Sequence, residues 1–224
     1  MGRPIRIDEA GDYHHVINRG RNKQDVFGDE ADRSSFMEPL RTAVDRGYVE
    51  VHSFTLLSNH FHLLLRSLVP AGTSMTMQLL GVYTLEFNRK YGFDGSLFKG
   101  RFYSKRVDTE GYLMEIPRYI ANNPVKAGIV TYPADHRWSS HAALLGTANA
   151  VEFPVAHGLV DEFFNGDVLA LDRFVRNRNN LHSTRFEQVI EANLTEQSLA
   201  RSLEQVAIGL AKLDELPLRH PSMA

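Results

Sequence analysis

The chain has 224 residues, enough for one domain with a sizeable core plus a further segment. Apolar residues make up 43% and charged residues 23%, the balance of an ordinary globular protein. No stretch nears the roughly 20 apolar residues of a membrane span, and the absence of cysteine excludes disulfides, thiolate catalysis and cysteine-bound zinc. The opening MGRPIRIDEAGDYHH carries no apolar run, so neither a signal peptide nor a membrane association is expected, and a cytoplasmic location is. A net charge of -2 argues against a uniformly basic surface but not against nucleic acid, because distribution matters more than the sum.

In chain order, Tyr13 to Asn18 reads as a short strand, followed by the basic loop RGRNKQ. Asp29 to Arg46 reads as an amphipathic helix, with Phe36, Leu40 and Val44 four apart. Tyr48 to Leu57 and His60 to Ser67 read as two strands of a hairpin about the turn at Ser58 and Asn59. Thr73 to Lys90 reads as one helix with Leu79, Leu80, Tyr83 and Phe87 on one side. Leu97 to Val107 is expected to be extended. Asp108 or Thr109 caps a last helix, and Pro124 predicts its end near Asn123. Pro117 predicts either a kink or a new start inside that helix.

The order strand, helix, strand, strand, helix, strand, helix suggests an α+β fold with helices packed on an antiparallel sheet. A boundary is expected between Ala148 and Pro154. That divides the chain into a domain over 1–150 and a mostly helical extension over 151–224, with helices at Leu159 to Arg176 and Glu187 to Leu213.

Two constellations carry chemistry. Side chains two apart on a strand share a face, so His60 and His62 point one way while Phe61, Leu63 and Leu65 point into a core. Two imidazoles so placed can chelate one metal ion, although H-x-H also fits a solvated face. Tyr119 and Asn123, four apart, share a helix face. The Asn123 amide oxygen suits a hard cation, but a half-buried tyrosine followed by a helix-capping asparagine has the same spacing. His14, His15 and His52 read as structural, although His15 would approach the pair if its strand neighboured the hairpin. Trp138 reads as a core anchor.

Positive charge concentrates in the middle of the chain. Phe87 to Lys126 holds eight basic residues (Arg89, Lys90, Lys99, Arg101, Lys105, Arg106, Arg118 and Lys126) against four acidic ones, whereas Pro133 onward holds eight against twelve. The run from Phe98 to Arg106 interleaves Lys99, Arg101, Lys105 and Arg106 with aromatic rings, the mixture that backbone phosphates and stacked bases need. Arg19, Arg21 and Lys23 form a second basic loop, and Lys126 follows the tyrosine helix. Each taken singly also fits a solvated surface.

Together, "FTLLSN" before His60-Phe61-His62, then "LFKGRFYSKRV", then "YLMEIPRYIANNPVKAGIV", resemble the one-tyrosine HUH transposases and, more closely, the REP-associated tyrosine transposases of bacteria. "HHVINRGRNKQDVF" and "WSSHAALLG" fit the opening and the trailing segment of that family, and the likeness spans residues 10 to 178. The resemblance implies a ferredoxin-like core and relatives that act as monomers or homodimers. It implies His60 and His62 as metal ligands, Asn123 as a third, and Tyr119 as nucleophile, with Tyr112 its rival. Pro117 departs from the family's usual helical residue and bears on the angle of that helix.

Implied too are Mg²⁺ or Mn²⁺, although these ligands alone also suit zinc. The substrate that the resemblance implies is single-stranded or hairpin DNA, cut and rejoined through a 5′-phosphotyrosine. Phosphodiester oxygens are negative, and a cation that polarises one of them eases in-line attack. Tyrosine has an ordinary pKa of about 10, and neighbouring positive charge favours the phenolate. A covalent link keeps the bond available for a second strand, which simple hydrolysis would not. The alternative is a domesticated protein that binds repeat DNA without cutting it.

Overall fold

The computed structural model describes residues 7–177; the helix expected over Glu187 to Leu213 lies outside them. Strand β1 (Tyr13–Arg19) leads into a short 3-10 turn and then helix α1 (Glu30–Asp45). Asp29 caps α1, accepting from the Asp32 amide while the Asp32 carboxylate accepts from the Asp29 amide. This reciprocal cap satisfies donors that the first turn leaves open. The hairpin follows as β2 (Val49–Leu56) and β3 (His60–Ser67).

The expected single helix over Thr73 to Lys90 is two, α2 (Gly72–Leu79) and α3 (Gly81–Tyr91). Gly81, the weakest helix former after proline, stands at their junction. Lys90 and Tyr91 at the end of α3 reach back to Asp32, at 2.7 and 2.8 Å, and tie α3 to the start of α1.

The extended segment from Leu97 to Val107 is likewise divided. Only β4 (Tyr103–Arg106) joins the sheet as a strand. Upstream, Phe98 bridges Gly20, and Leu97 and Lys99 exchange backbone hydrogen bonds with Arg21 and Arg19. Helix α4 (Glu110–Lys126), capped by Thr109, runs through both Pro117 and Pro124 instead of ending at Asn123. Glycine ends it. Gly128 takes the left-handed conformation (φ 71°), its amide bonds the Val125 carbonyl, and the Ile129 amide bonds that of Pro124. This closure satisfies carbonyls that a helix end leaves open. Helix α5 (Ser140–Leu144) follows. The expected helix from Leu159 to Arg176 is broken into α6 (Gly158–Phe164) and α7 (Val168–Arg176) by left-handed Asn165 and Gly166.

The four strands lie in the order β2-β3-β1-β4, each antiparallel to its neighbours. With α1 joining β1 to β2 and the α2–α3 pair joining β3 to β4 on the same face of the sheet, this is the ferredoxin-like β-α-β-β-α-β arrangement. Alternation divides the buried side chains between two faces. Val16, Phe61, Leu63 and Leu65 meet Phe36, Met37 and Leu40 of α1 and Tyr83 and Phe87 of α3. Ile17 and Leu64, on the other face, meet Tyr112, Ile116, Tyr119 and Ile120 of α4. Trp138 and Phe153 join the first cluster and Leu159 the second, and the Trp138 indole donates to Glu30. No described helix is long and apolar enough to cross a membrane.

Leu63 is fully enclosed beneath the α1 layer. Replacing it by alanine is expected to cost about 2–5 kcal/mol, from lost burial plus the cavity left behind. The checking measurement is a shift in the urea midpoint at unchanged slope.

Candidate active site

The face under α4 carries the candidate residues. In the β1/β3 register Arg19 lies opposite His60, Ile17 opposite His62 and His15 opposite Leu64. Side chains directly opposite share a face, and diagonal neighbours are within reach of rings. His15, His60 and His62 therefore form one patch. The His60 and His62 rings are 5.2 Å apart and the His15 and His62 rings 5.4 Å, centre to centre.

Helix α4 lays Tyr119 onto this patch. Its ring stands edge-on to His62 at 5.4 Å and to His15 at 5.9 Å. Asn123, one turn on, donates from its amide nitrogen to the Tyr119 carbonyl at 2.8 Å, so the amide oxygen is the atom it has to offer. The other edge of α4 is anchored. Arg118 pairs with buried Glu115, lies 4.4 Å over the Phe174 ring and reaches the Asn177 carbonyl. Asn122 donates to the Val175 carbonyl at 2.9 Å. Rows four residues apart thus give α4 one edge facing the sheet residues and another held by α7.

The donor set fits a divalent cation. His60 Nδ1–H donates to Asn59 Oδ1 at 2.6 Å, which leaves the Nε2 lone pair unprotonated. His62 Nε2 is buried and has no hydrogen-bond partner among the described residues. Two imidazole nitrogens and one carboxamide oxygen leave coordination positions for water and phosphate oxygens. No cluster of three or more His, Cys, Asp or Glu suited to a metal occurs among the described residues.

Residues 11–123 match the family model described as Transposase IS200 like. The chain belongs to the IS200-like transposase family. Its fold is similar to that of a REP-associated tyrosine transposase bound to a REP hairpin, with a TM-score of 0.52 at 16% identity over 70% of this chain and 94% of that one. A crystal structure of a candidate transposase from Deinococcus radiodurans R1 aligns at 18% identity over 55% of this chain and 95% of that one, with a TM-score of 0.36. No curated protein matches the sequence. Family membership gives this IS200-like transposase a transposase-like function.

The basic residues of the transposase are dealt to different places. Arg19 faces His60, and Arg21 and Lys99 flank it through the paired loops. Lys23 and Arg101 are exposed on those same loops. The Lys126 ammonium lies 4.9 Å from the Tyr119 ring centre. Arg106 lies at the opposite end of β1, across from His14, in ion pairs with Asp12 and Asp108. The Lys105 ammonium is buried over the Tyr112 ring at 4.4 Å, and burial lowers its pKa. Tyr112 itself is buried, and desolvation holds its phenol well above the ordinary range. Two residues beyond the expected set touch the site. In the sequence Asn59 reads only as a turn residue, and His15 enters through strand pairing, which spacing along the chain does not reveal.

Burial also keeps the imidazoles neutral, as metal ligation requires. Desolvation lowers His60 to about 4, with Arg19 adding to the effect, and His15 to about 3, with Lys105 adding. His62 is held well below 6.5 by desolvation, with the adjoining His60 and His15 and then Arg19 and Lys126 adding to the effect. Burial likewise lowers His52, His136 and His141.

The unfolded chain takes up these protons as pH falls through 6.5, whereas the folded chain resists until lower pH. The stabilisation is therefore complete above 6.5 and is lost as pH falls, that of His60 on the way down to about 4 and that of His15 to about 3. Urea midpoints measured between neutral pH and that lower limit are expected to fall steadily; a flat profile would contradict the assignment.

Proposed function

We propose that this transposase is a metal-dependent single-stranded DNA nuclease and strand-transferase. It acts on hairpin or palindromic repeat DNA through a 5′-phosphotyrosine at Tyr119. The observation that carries this reading is the Tyr119 ring 5.4 Å from the His62 ring within one chain. A nucleophile must stand beside the group that orients its phosphate. The REP hairpin bound to the similar solved structure supports the choice of substrate.

His60, His62 and the Asn123 amide oxygen would hold Mg²⁺ or Mn²⁺, which when bound supplies polarisation of a non-bridging phosphate oxygen. Tyr119 Oη forms the new bond to phosphorus. The bond from phosphorus to the 3′ oxygen breaks, and the phenol proton ends on the released 3′-OH. The fragment downstream of the cut stays on the tyrosine through its 5′ phosphate, and a 3′-OH can later reverse the step. Arg19 and Lys126 neutralise the phosphate, while Arg21, Lys23, Lys99 and Arg101 extend the cationic track along the strand. Arg106 and Lys105 stand apart from this track.

All the chemical groups come from one chain, so a monomer can contain a complete site and a homodimer would carry two. Residues 1–150 form the catalytic unit. The segment after it begins with Phe153 and Leu159 packed on that unit.

Incubation with end-labelled single-stranded hairpin DNA and Mn²⁺ is expected to give a covalent protein–DNA adduct. Tyr119→Phe abolishes it, His60→Ala and His62→Ala reduce it to background, and Tyr112→Phe retains it. Binding without an adduct under any divalent metal would assign the protein to repeat-DNA recognition, and an adduct that survives Tyr119→Phe but not Tyr112→Phe would move the nucleophile.

Lys126→Ala is expected to lessen the dependence of log K on log salt by about 0.7, the share of one phosphate contact to a single strand. Fluorescence anisotropy across a salt series checks this, and an unchanged slope would remove Lys126 from the DNA path.

A further inference from the structure

His15 has no part in the ligand set above, yet its Nε2 lies 3.2 Å from His62 Nδ1 in a buried hydrogen bond. The two rings are nearly parallel, with 26° between their planes. A neutral imidazole carries one N–H and one lone pair, so one of these nitrogens donates and the other accepts. His15 Nδ1 and His62 Nε2 are both buried without a hydrogen-bond partner among the described residues. Each proton order leaves both of those atoms in the same position, so hydrogen bonding within the pair does not choose between the two orders.

The cation does choose. Were His15 the donor, His62 would carry its proton on Nε2 and present an N–H to the site, with no lone pair for a metal. With His62 as donor, its Nε2 presents a lone pair. His60 shows the same design with no ambiguity, because Asn59 Oδ1 can only accept and so requires Nδ1–H on His60. Metal-bound histidines commonly donate their second N–H to an acceptor that fixes tautomer and ring orientation.

We propose that His15 is a positioning residue for the metal site: it accepts a hydrogen bond from His62 Nδ1–H and holds His62 in the tautomer whose Nε2 faces the cation. The inference rests on reading His60 and His62 as ligands. The strand register supplies its geometry, since His15 is the diagonal neighbour of His62 across the β1/β3 pair.

Isothermal titration of the full chain with Mn²⁺ tests it on His15→Leu, which removes the acceptor, and His15→Gln, whose amide oxygen can occupy the place of Nε2. His15→Leu is expected to weaken Mn²⁺ binding roughly 10- to 100-fold, while His15→Gln stays close to the unmodified chain. Long-range ¹H–¹⁵N NMR of the unmodified protein with Mg²⁺ is expected to find both His15 and His62 protonated on Nδ1, and this reading stands even if His15→Leu fails to fold. Unchanged Mn²⁺ affinity in folded His15→Leu, or a proton on His15 Nε2, overturns the proposal while leaving the metal site in place. An unmodified chain that binds no Mn²⁺, with His60→Ala equally silent, removes the metal site and this inference with it.

Discussion

The pairing of β1 with β3 is the constraint on which the site depends. Antiparallel register sets Arg19 against His60 and Ile17 against His62, and so brings residues more than forty positions apart onto one face. A slip of one residue would turn every side chain of β1 to the opposite face, placing His15 among the α1 side chains and Val16 beneath α4. The apolar partition resists such a slip. Val16 belongs with Phe61, Leu63 and Leu65, and Ile17 with Leu64 and Ile120. The core that stabilises the sheet is thus the same pattern that aligns the histidines.

Helix α4 completes the arrangement by serving two environments at once. Its Tyr119 and Asn123 row faces the imidazoles, while Arg118 and Asn122 are held by α7. Beside the apolar packing of Ala121 on Leu171 and Val175, polar groups with directional partners on and after α7 take part: Arg118 has the Phe174 ring and the Asn177 carbonyl, and Asn122 has the Val175 carbonyl. Directional contacts of this kind set the rotation of a helix about its axis more tightly than apolar packing, which tolerates sliding. Rotation is what decides whether the tyrosine ring meets His62.

Electrostatics of the site follows from burial. The histidines are enclosed and neutral, so their contribution is lone pairs, not charge. Positive charge comes instead from Arg19, opposite His60 on β1, and from Lys126, whose ammonium stands over the Tyr119 ring. That division suits the proposed reaction, in which the site gathers a polyanion and presents uncharged ligands.

Much of this was legible in the chain alone. Alternation in His60-Phe61-His62, the four-residue spacing of Tyr119 and Asn123, the α4 cap at Thr109 and the order of elements are local properties, governed by periods of two and 3.6 and by side-chain reach within a turn. The joint order of motifs pointed to the transposase family before any fold was known.

Other features belong to the tertiary structure because they depend on partners distant in sequence. Pro124 is carried inside α4, and the end falls at Gly128, whose left-handed turn closes the last carbonyls. Lys105 and Arg106 are adjacent in a basic run, yet strand alternation buries one ammonium over Tyr112 and sends the other side chain to Asp12 and Asp108. His15 reads as one structural histidine among several until β1 pairs with β3. Spacing along a chain specifies what one element presents, but only the docking of elements decides which presented groups meet.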